Sequence, residues 1–319
     1  MKTKIIAVAG PTASGKTDLA VEIARLVDGE VISNDSMQIY REMNIGTAKA
    51  TEEEQARVPH FMIDIISPTE NFSAESYRSM ALEYAGEISS RGKIPLFVGG
   101  TGLYIDTVMR GGGLSSPGSD SEYREKILSA VKSEEDKIAL WKRLSEIDPE
   151  SAEKTHYNNV KRVIRALEIY DKTGKPKSAF DRESKNISPD ISVKMITLDF
   201  LDRENLYLRV DKRVDIMMEE GLLSEVDSLY KRGLLPGGST AAQAIGYKEI
   251  ISAIEGKCTL EEAVEQIKLS TRRYAKRQLT WFRHEQDAKR VFVDGLEGMR
   301  DYGEVLAEAL FCCKEFLED

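Results

Sequence analysis

The segment GPTASGKT (residues 10–17) constrains this chain most, because it has every fixed position of the phosphate-binding pattern GxxxxGK[ST]. The run KIIAVAG (4–10) before it is typical of a buried β-strand, and helical spacing follows from Lys16 to about Val27. Between a strand and a helix, such a loop turns backbone N–H groups toward phosphate oxygens. We therefore predict a loop that binds a diphosphate or triphosphate, made of Gly10, Pro11, Thr12, Ala13, Ser14, Gly15, Lys16 and Thr17.

Two side chains of this loop have predicted roles of their own. The Lys16 ammonium would supply positive charge to the terminal phosphate, and the Thr17 hydroxyl would be a ligand for Mg²⁺. The motif alone does not identify the reaction, because an ATP-hydrolysing enzyme also needs an acidic residue on a second strand. Asp35 and Asp64 are the candidates for that residue, and a P-loop small-molecule or nucleotide kinase using ATP is the alternative function.

Strand and helix patterns alternate beyond the loop. Strands are predicted at EVISND (30–35), IPLFVGG (94–100), VKMITLDF (193–200) and RVFV (290–293), and a helix near 76–90. This order is typical of a parallel sheet with right-handed crossovers. We predict an α/β fold with a P-loop NTPase-like parallel sheet flanked by helices, including helices at about 203–220, 240–255, 259–284 and 301–317.

A glycine- and serine-rich stretch interrupts this pattern. GGGLSSPGSDS (111–121) predicts a hinge, and the residues from 122 to about 172 have helical spacing. A second loose stretch is predicted over 174–192. We therefore predict a core α/β domain made of residues 1–115 and 190–319, and an inserted all-helical domain, residues 116–189.

Composition excludes several classes of protein. A content of 41% hydrophobic and 31% charged residues is typical of a globular protein with a sizeable core. The apolar runs are too short for a signal peptide or a membrane span, so we expect a cytoplasmic protein with no membrane partner. The three cysteines show no zinc-ligand spacing, and we expect no metal site made of thiolates.

The acidic total, a net charge of -9, contains two basic segments. TRRYAKRQLTWFRHE (271–285) concentrates cations and aromatic rings on a predicted helix, where Ile267, Tyr274 and Trp281 would face the core. Residues 154–185 contain nine cations against four carboxylates. Either segment alone is typical of a solvated helix face, but two of them around a phosphate site favour RNA as a partner. A non-enzymatic RNA-binding module is therefore a third function class.

The segment NDSMQIY (34–40) follows the second predicted strand, at the carboxyl edge where ligands bind in open α/β sheets. A carboxylate there, Asp35, could be a general base or a metal ligand, and an Asx turn is the purely structural alternative. Thr101 follows another strand at the same edge. Its hydroxyl either reaches the same pocket or belongs to a simple turn.

Several stretches resemble, in the same order, the signatures of the bacterial tRNA isopentenyltransferases, or tRNA dimethylallyltransferases. They are GPTASGKT, DSMQIY (35–40), NIGTAK (44–49), GGTGLY (99–104), KRVIRALEIY (161–170), AIGYKE (244–249) and YAKRQLTWFR (274–283). The resemblance implies that the phosphate loop binds dimethylallyl diphosphate. It also implies transfer of the dimethylallyl group to N6 of the adenosine 3′ to the anticodon, tRNA position 37, with release of pyrophosphate.

The resemblance further implies roles for single residues. Asp35 would be the base, Thr101 would lie beside the substrate, and Arg213 would contact the pyrophosphate, with Arg209 one turn away as the alternative. Mg²⁺ is the implied cofactor, and the implied partners of a monomeric enzyme are the anticodon stem-loop of tRNA and dimethylallyl diphosphate. The chain has Asn158-Asn159 where the family usually has Asn-Asp, and Phe61 in place of a second histidine. The implied tRNA-binding residues are Asp35, Ser36, Met37, Gln38, Thr101, Arg124, Asn159, Val160, Lys161, Arg162, Val163, Arg272, Lys276 and Arg277.

Overall fold

The computed structural model describes residues 2–110, 120–185 and 190–318. The chain divides into two compact units: unit 1 comprises Met1–Ile105 and Asp190–Asp319, and unit 2 comprises Asp106–Pro189. The predicted inserted domain, 116–189, falls within the sequence range of unit 2. Most of the predicted hinge, residues 111–119, lies outside the described residues.

Unit 1 is built on a parallel sheet. Its strands are β1 (Thr3–Ala9), β2 (Gly29–Ser33), β3 (His60–Phe61), β4 (Ile94–Gly99), β5 (Ile191–Asp199) and β6 (Lys289–Phe292). In the described residues they pair in the order β3-β2-β4-β1-β5-β6, and each pairing is parallel. The central strand is β1, where Ala7 pairs with Phe97 on one side and Met195 on the other. A strand covered on both faces must be apolar, which explains the continuous run IIAVA.

Helices connect and flank these strands, and a short antiparallel pair, β7 (Asp294–Gly295) and β8 (Gly298–Met299), precedes the last helix. The helices are α1 (Lys16–Leu26), α2 (Glu52–Arg57), α3 (Ala74–Ser90), α4 (Gly102–Arg110), α5 (Ser121–Ala130), α6 (Glu134–Ile147), α7 (Pro149–Glu153), α8 (Val160–Thr173), α9 (Lys177–Lys185), α10 (Arg203–Glu219), α11 (Leu222–Lys231), α12 (Tyr247–Ile254), α13 (Leu260–Arg283) and α14 (Tyr302–Glu318). This architecture confirms the predicted fold class. None of the described helices combines the length and the apolar composition that a membrane span requires.

Two hydrophobic cores of unit 1 position its loops. The first joins the sheet to α1, α10, α13 and α14 and includes Ile6, Val8, Leu19, Ile23, Leu96, Ile196, Leu279 and Ala309. The second packs the segment after β2 against the helices α10 to α13 and includes Ile39, Tyr40, Met43, Val214, Leu222, Val226, Tyr247, Ile250 and Ile267. Because this second core fixes both the segment after β2 and the helices α10 and α13, it sets the width of the space between them.

Unit 2 is helical in the residues that the structure describes and has its own small core. That core contains Leu144, Ala152, Val163, Ala166 and Leu167. A buried carboxylate, Glu168, accepts hydrogen bonds from Arg124 (2.8 Å) and Arg165 (2.9 Å). Removing a buried charge from water is costly, and these two guanidinium groups offset that cost by pairing with it.

The prediction of a loose stretch over 174–192 is wrong, because α9 occupies residues 177–185. Pro176 directly precedes this helix, where its missing N–H leaves no helical hydrogen bond unmade. Its carbonyl accepts the Phe180 N–H (3.4 Å), and Lys177 pairs with Asp181 one turn later. Gly174 ends α8 with a φ of 69°, and Pro176 precedes α9, so these two residues mark a short connection between helices.

Two further predictions in unit 1 are corrected. The helix predicted over 240–255 begins only at Tyr247, because Gly246 has a φ of 96° and the preceding residues form turns. Helix α11 was not predicted, although Leu222, Val226 and Leu229 have helical spacing and are buried. The remaining predicted elements of unit 1 agree with the structure apart from small shifts at their ends.

Candidate active site

The phosphate-binding motif forms the loop between β1 and α1. Gly15 caps α1 with a φ of 86°, a left-handed conformation that glycine adopts without the strain of a side chain. The Lys16 ammonium donates a hydrogen bond to the Pro11 carbonyl (3.2 Å), so it lies over the loop. Arg209 donates from Nε to the Ala13 carbonyl (2.7 Å) and thereby fixes the outer part of the loop.

One hydroxyl in this loop indicates that the loop binds a ligand. Ser14 is buried, and among the described residues its Oγ has no hydrogen-bond partner. Buried hydroxyls are normally hydrogen-bonded, because an unmade hydrogen bond costs about 1–3 kcal/mol. A bound phosphate oxygen would satisfy this group.

A cavity of about 640 Å³ lies beside the loop, entirely within unit 1. Residues from the loop, from the segment after β2 and from the helices α10 and α13 line it. The predicted site residues that line this cavity are Thr12, Lys16, Thr17, Asp35, Ser36, Met37, Gln38, Arg213 and Arg277. The structure therefore brings the diphosphate loop, the proposed base and the proposed pyrophosphate-binding arginine to one place.

Asp35 starts a tight turn at the carboxyl end of β2. Its Oδ1 accepts the Met37 N–H (2.8 Å), which is the Asx turn that the sequence left open. The next residue, Ser36, donates its N–H to Thr101 Oγ1 (3.1 Å), and the Thr101 carbonyl accepts from Asn34 Nδ2 (3.1 Å). The turn and a cavity-facing carboxylate are thus both present, and Thr101 supports the turn directly.

Charges of both signs meet in this cavity. The pKa of Lys16 is lowered to about 8, first by burial and then by the Arg213 guanidinium, while the Asp35 carboxylate opposes the shift. Burial also lowers the pKa of Arg213, and Asp35 and Asp18 oppose that change. Two cations held close together in a partly buried site repel each other, and a diphosphate would relieve that repulsion. Arg213 lines the cavity, whereas Arg209 holds the loop, so the two arginines have different positions.

The segment 44–49 forms another wall and is held by Glu225 of α11. The Glu225 carboxylate accepts the N–H groups of Asn44 (2.9 Å), Ile45 (2.8 Å) and Gly46 (3.2 Å). The Tyr247 hydroxyl donates to the same carboxylate (2.6 Å). Consecutive backbone N–H groups converging on one anion form a rigid nest.

Gln38 connects this wall to β2. Its Oε1 accepts the Ser33 hydroxyl (2.8 Å), and its Nε2 donates to the carbonyl of Ala48 (3.0 Å). Gln38, which is predicted to contact tRNA, therefore already uses both its amide oxygen and its amide nitrogen in hydrogen bonds within the protein.

The basic helix α13 has two faces. Its buried residues include Ala275, Gln278, Leu279 and Phe282, whereas Tyr274 and Trp281 are only half-buried. The prediction that Tyr274 and Trp281 anchor the helix in the core is therefore wrong; of the three predicted anchors, Ile267 alone is buried. Tyr274 lines the cavity, and the Arg277 guanidinium lies 5.6 Å from the centre of its ring.

The predicted RNA-binding cations of α13 differ in their surroundings. Lys276 and Arg277 are exposed. Arg272 instead forms an ion pair with Asp211 of α10 (2.7 Å), which partly neutralises its charge. Another exposed cation, Arg273, lines the cavity and was not among the predicted site residues.

In unit 2 the predicted tRNA-binding residues also separate into two groups. Asn159, Lys161 and Arg162 are exposed at the start of α8, next to the half-buried Val160. The side chain of Val163 is buried in the core of unit 2, so it adds no exposed side chain to the predicted RNA contact. Arg124 is engaged with the buried Glu168, as described above.

Besides Arg273, sequence reasoning missed three residues that shape the site: Glu225, Tyr274 as a cavity residue, and Gln278. Gln278 bonds to backbone atoms of two separate loops. The spacing offered one signal, since Ile267, Thr271, Tyr274 and Gln278 recur every three or four residues and all line the cavity. The sequence offered no comparable signal for Glu225, because acidic residues are common on surface helices.

Comparison with known proteins identifies the family. The family model described as IPP transferase matches residues 38–285. The tRNA dimethylallyltransferase of Bacillus cereus strain AH187 is 48% identical over 90% of this chain and 89% of its own length, and that of Bacillus anthracis is 47% identical over 90% of each. The crystal structure of the full-length tRNA isopentenylpyrophosphate transferase from Bacillus halodurans has a TM-score of 0.73 at 41% identity, covering 99% of this chain and 97% of that one. A eukaryotic dimethylallyltransferase acting on tRNA has a TM-score of 0.76 at 31% identity, covering 91% and 74%. The chain therefore belongs to the IPP transferase family.

Proposed function

We propose that this protein is a tRNA dimethylallyltransferase. It transfers the dimethylallyl group of dimethylallyl diphosphate to N6 of the adenosine 3′ to the tRNA anticodon and releases pyrophosphate. The names of its close relatives and the tRNA-modifying structural neighbour support this function. A tRNA substrate also favours a cytoplasmic location.

The observation that carries the proposal is the composition of one cavity. It combines a diphosphate loop, a carboxylate and, on its α13 wall, exposed cations. Group transfer from a diphosphate to a nucleic-acid base needs these three features within reach of each other. Arg273 and Arg277 on that wall are suited to the phosphates of an RNA substrate.

The reaction breaks the allylic C–O bond and forms a C–N bond to N6 of adenine. The proton of N6 must leave as the bond forms, because the exocyclic amine is conjugated to the ring and is a poor nucleophile. Asp35 is held by its turn at the carboxyl end of β2 and lines the cavity, and we propose that its carboxylate accepts that proton. General-base catalysis of this kind contributes about 10²–10⁴-fold.

The departing pyrophosphate gains negative charge as the C–O bond stretches. Lys16 and Arg213 are the cations that line the cavity near Asp35, and the backbone N–H groups of the loop are further donors. Donors fixed in advance stabilise developing charge without reorganising during the step. We propose that these groups hold the leaving diphosphate and that Thr101 keeps the Asp35 turn in place.

The residues around the diphosphate loop also fit Mg²⁺. In the part of the chain that the structure describes, no three carboxylate, histidine or cysteine side chains converge on one point. Magnesium does not need such a cluster, since it keeps several waters and takes one or two protein ligands together with substrate phosphates. Thr17 lines the cavity, and its hydroxyl would hold the ion. When bound, Mg²⁺ supplies charge neutralisation to the diphosphate.

We propose that exposed cations bind the RNA backbone in both units. Lys276 and Arg277 of unit 1 and Lys161 and Arg162 of unit 2 are accessible to phosphates. Phosphate contacts orient an RNA but carry no base specificity. The adenosine lies in a loop and is largely unpaired, which lowers the cost of drawing it into a pocket.

The kinase alternative makes a different prediction about the nucleotide. It requires ATP turnover and leaves the exposed cations of both units without a role. None of the relatives and structures compared above is a kinase, and they support transfer to tRNA.

The decisive experiment incubates the protein with labelled dimethylallyl diphosphate, Mg²⁺ and tRNA that lacks the modification. We expect label in the tRNA and release of pyrophosphate only when the tRNA is present. The matched control is the same tRNA with guanosine in place of the target adenosine, which has no N6 amine and should remain unlabelled. ATP turnover without labelling of tRNA would overturn the proposal in favour of a kinase.

A further inference from the structure

One buried amide on α13 connects the two loops that carry the proposed catalytic groups. Gln278 Oε1 accepts a hydrogen bond from the Thr12 N–H (2.9 Å), which belongs to the diphosphate loop. Its Nε2 donates to the carbonyl of Gly100 (2.9 Å), in the loop after β4. The residue is only 5% exposed, so these bonds are made away from water.

The space around this amide is closely filled. A Cβ atom added to Gly100 would lie 2.1 Å from Gln278 Nε2, so the amide would have to leave its present position. The glycine therefore allows the backbone of this loop to approach the amide directly. An apolar side chain of similar size would fill the space but leave the Thr12 N–H and the Gly100 carbonyl without partners.

Both bonds have consequences for the site. Because the Thr12 N–H is engaged by Gln278, the position of the diphosphate loop is fixed relative to α13. Because the Gly100 carbonyl is engaged as well, the adjacent Thr101 is fixed, and its Oγ1 accepts the Ser36 N–H beside Asp35. One side chain thus sets the separation between the loop that binds the leaving group and the turn that carries the base.

We infer that Gln278 is a positioning residue for dimethylallyl transfer, acting through Thr12 and Thr101 rather than by touching the substrate. The inference rests on the proposed function. It predicts effects on two separate quantities: the affinity for diphosphate, through the loop, and the rate of the chemical step, through the distance between the loop and Asp35.

The first test is Gln278→Met, which keeps the volume and removes both hydrogen bonds. We expect the Kd for inorganic pyrophosphate, measured by calorimetry, to rise about tenfold, because the loop loses its anchor. The single-turnover rate of transfer should fall about a hundredfold, the effect of misplacing reacting groups by about an ångström. The Kd for tRNA should stay unchanged, because the exposed cations of α13 are not altered.

The second test is Gln278→Glu, in which protonation can restore the lost bond. An ionised carboxylate still accepts the Thr12 N–H but repels the Gly100 carbonyl. Burial raises the pKa of such a carboxyl, and its protonated form donates to Gly100 as the amide does. The ratio of this variant's Kd for pyrophosphate to that of the wild type should therefore approach one as the pH falls. The same ratio for Gln278→Met should not change with pH. Tyr274 adjoins this amide on the same helix and remains neutral across this range, because burial raises its pKa.

Leu279→Ala is the matched structural control. Leu279 is the next residue of α13, and it is 3% exposed in the main core. Its truncation should lower the melting temperature while leaving pyrophosphate affinity and the transfer rate unchanged well below that temperature. If Gln278→Met behaves in the same way, Gln278 only stabilises the fold and the inference is overturned.

The proposed function and the positioning role of Gln278 are refuted by different results. A wild-type protein that transfers no prenyl group to tRNA would refute the proposed function. The pyrophosphate titrations would still decide whether Gln278 positions the loop. Equal pyrophosphate affinity in the wild type and both Gln278 variants, at all pH values, would reject the inference even if transfer is observed.

Discussion

The lowered pKa of Lys16 predicts how diphosphate affinity depends on pH. With a pKa of about 8, Lys16 is about nine-tenths protonated at pH 7 and about one-tenth protonated at pH 9 in the free protein. A bound diphosphate supplies an opposite charge that raises this pKa, so the complex keeps the proton. Affinity is therefore fully present below pH 8 and is lost as the pH rises through that value.

The magnitude follows from the change in protonated fraction. Between pH 7 and pH 9 the Kd for pyrophosphate should rise about tenfold, which corresponds to about 1.4 kcal/mol. Binding at pH 9 should also take up about 0.9 proton per site, against about 0.1 at pH 7. Calorimetry in two buffers with different ionisation enthalpies measures both quantities in one series.

Pyrophosphate itself titrates in the same range, so a matched variant is needed. Lys16→Arg keeps a positive charge throughout, because the guanidinium does not deprotonate below about pH 12. The ratio of the two Kd values therefore cancels the ionisation of the ligand. A ratio that stays constant from pH 7 to pH 9.5 would refute the reasoning, since it would mean that the charge of Lys16 does not change in this window or does not matter for binding.

Three further predictions test other parts of the site. Asp35→Asn should lower the single-turnover rate of transfer by about 10²–10⁴-fold with an unchanged Kd for tRNA, because an amide cannot accept the N6 proton; an unchanged rate would exclude Asp35 as the base. The double variant Lys276→Ala, Arg277→Ala should reduce the slope of log Kd for tRNA against log salt concentration by about 2. Arg272→Ala should change that slope much less, because its charge is already paired, and equal effects would contradict this assignment. Glu225→Ala should lower the free energy of unfolding in urea by about 2–4 kcal/mol, because the backbone N–H groups of its loop lose their acceptor, and a change below about 0.5 kcal/mol would argue against that anchor.

The loop between β1 and α1 could be predicted from sequence because its geometry is local. Eight consecutive residues carry the glycines, the lysine and the hydroxyl, and the flanking strand and helix have clear periodicity. The turn at Asp35 is local as well, because the Asp35 carboxylate accepts a hydrogen bond from the N–H of Met37, two residues further along the chain. Wherever the partner of a residue lies within a few positions along the chain, the sequence contains the relevant geometry.

The contacts that hold these local pieces together could not be predicted in this way. Gln278 and Thr12 are separated by 266 positions, and Glu225 and Ile45 by 180. Periodicity predicts that a side chain faces inward, but it does not identify which backbone atom it meets there. The sequence therefore identifies Gln278 only as a polar residue on a basic helix. An uncharged amide on the buried face of such a helix nevertheless requires hydrogen-bond partners.

The specificity of the string YAKRQLTWFR follows from the two faces of α13. A helix turns about 100° per residue, so adjacent residues of one short segment face different surroundings. Lys276 and Arg277 are exposed, while the next two residues, Gln278 and Leu279, are buried against the diphosphate loop and the sheet. Substitution of Lys276 or Arg277 would therefore affect the proposed RNA contact, and substitution of Gln278 the geometry of the loops, so few alternatives preserve both. A P-loop has only the requirement of binding phosphate, which many enzymes share. The combined requirement explains why the α13 segment distinguishes a transferase acting on RNA more sharply than GPTASGKT does.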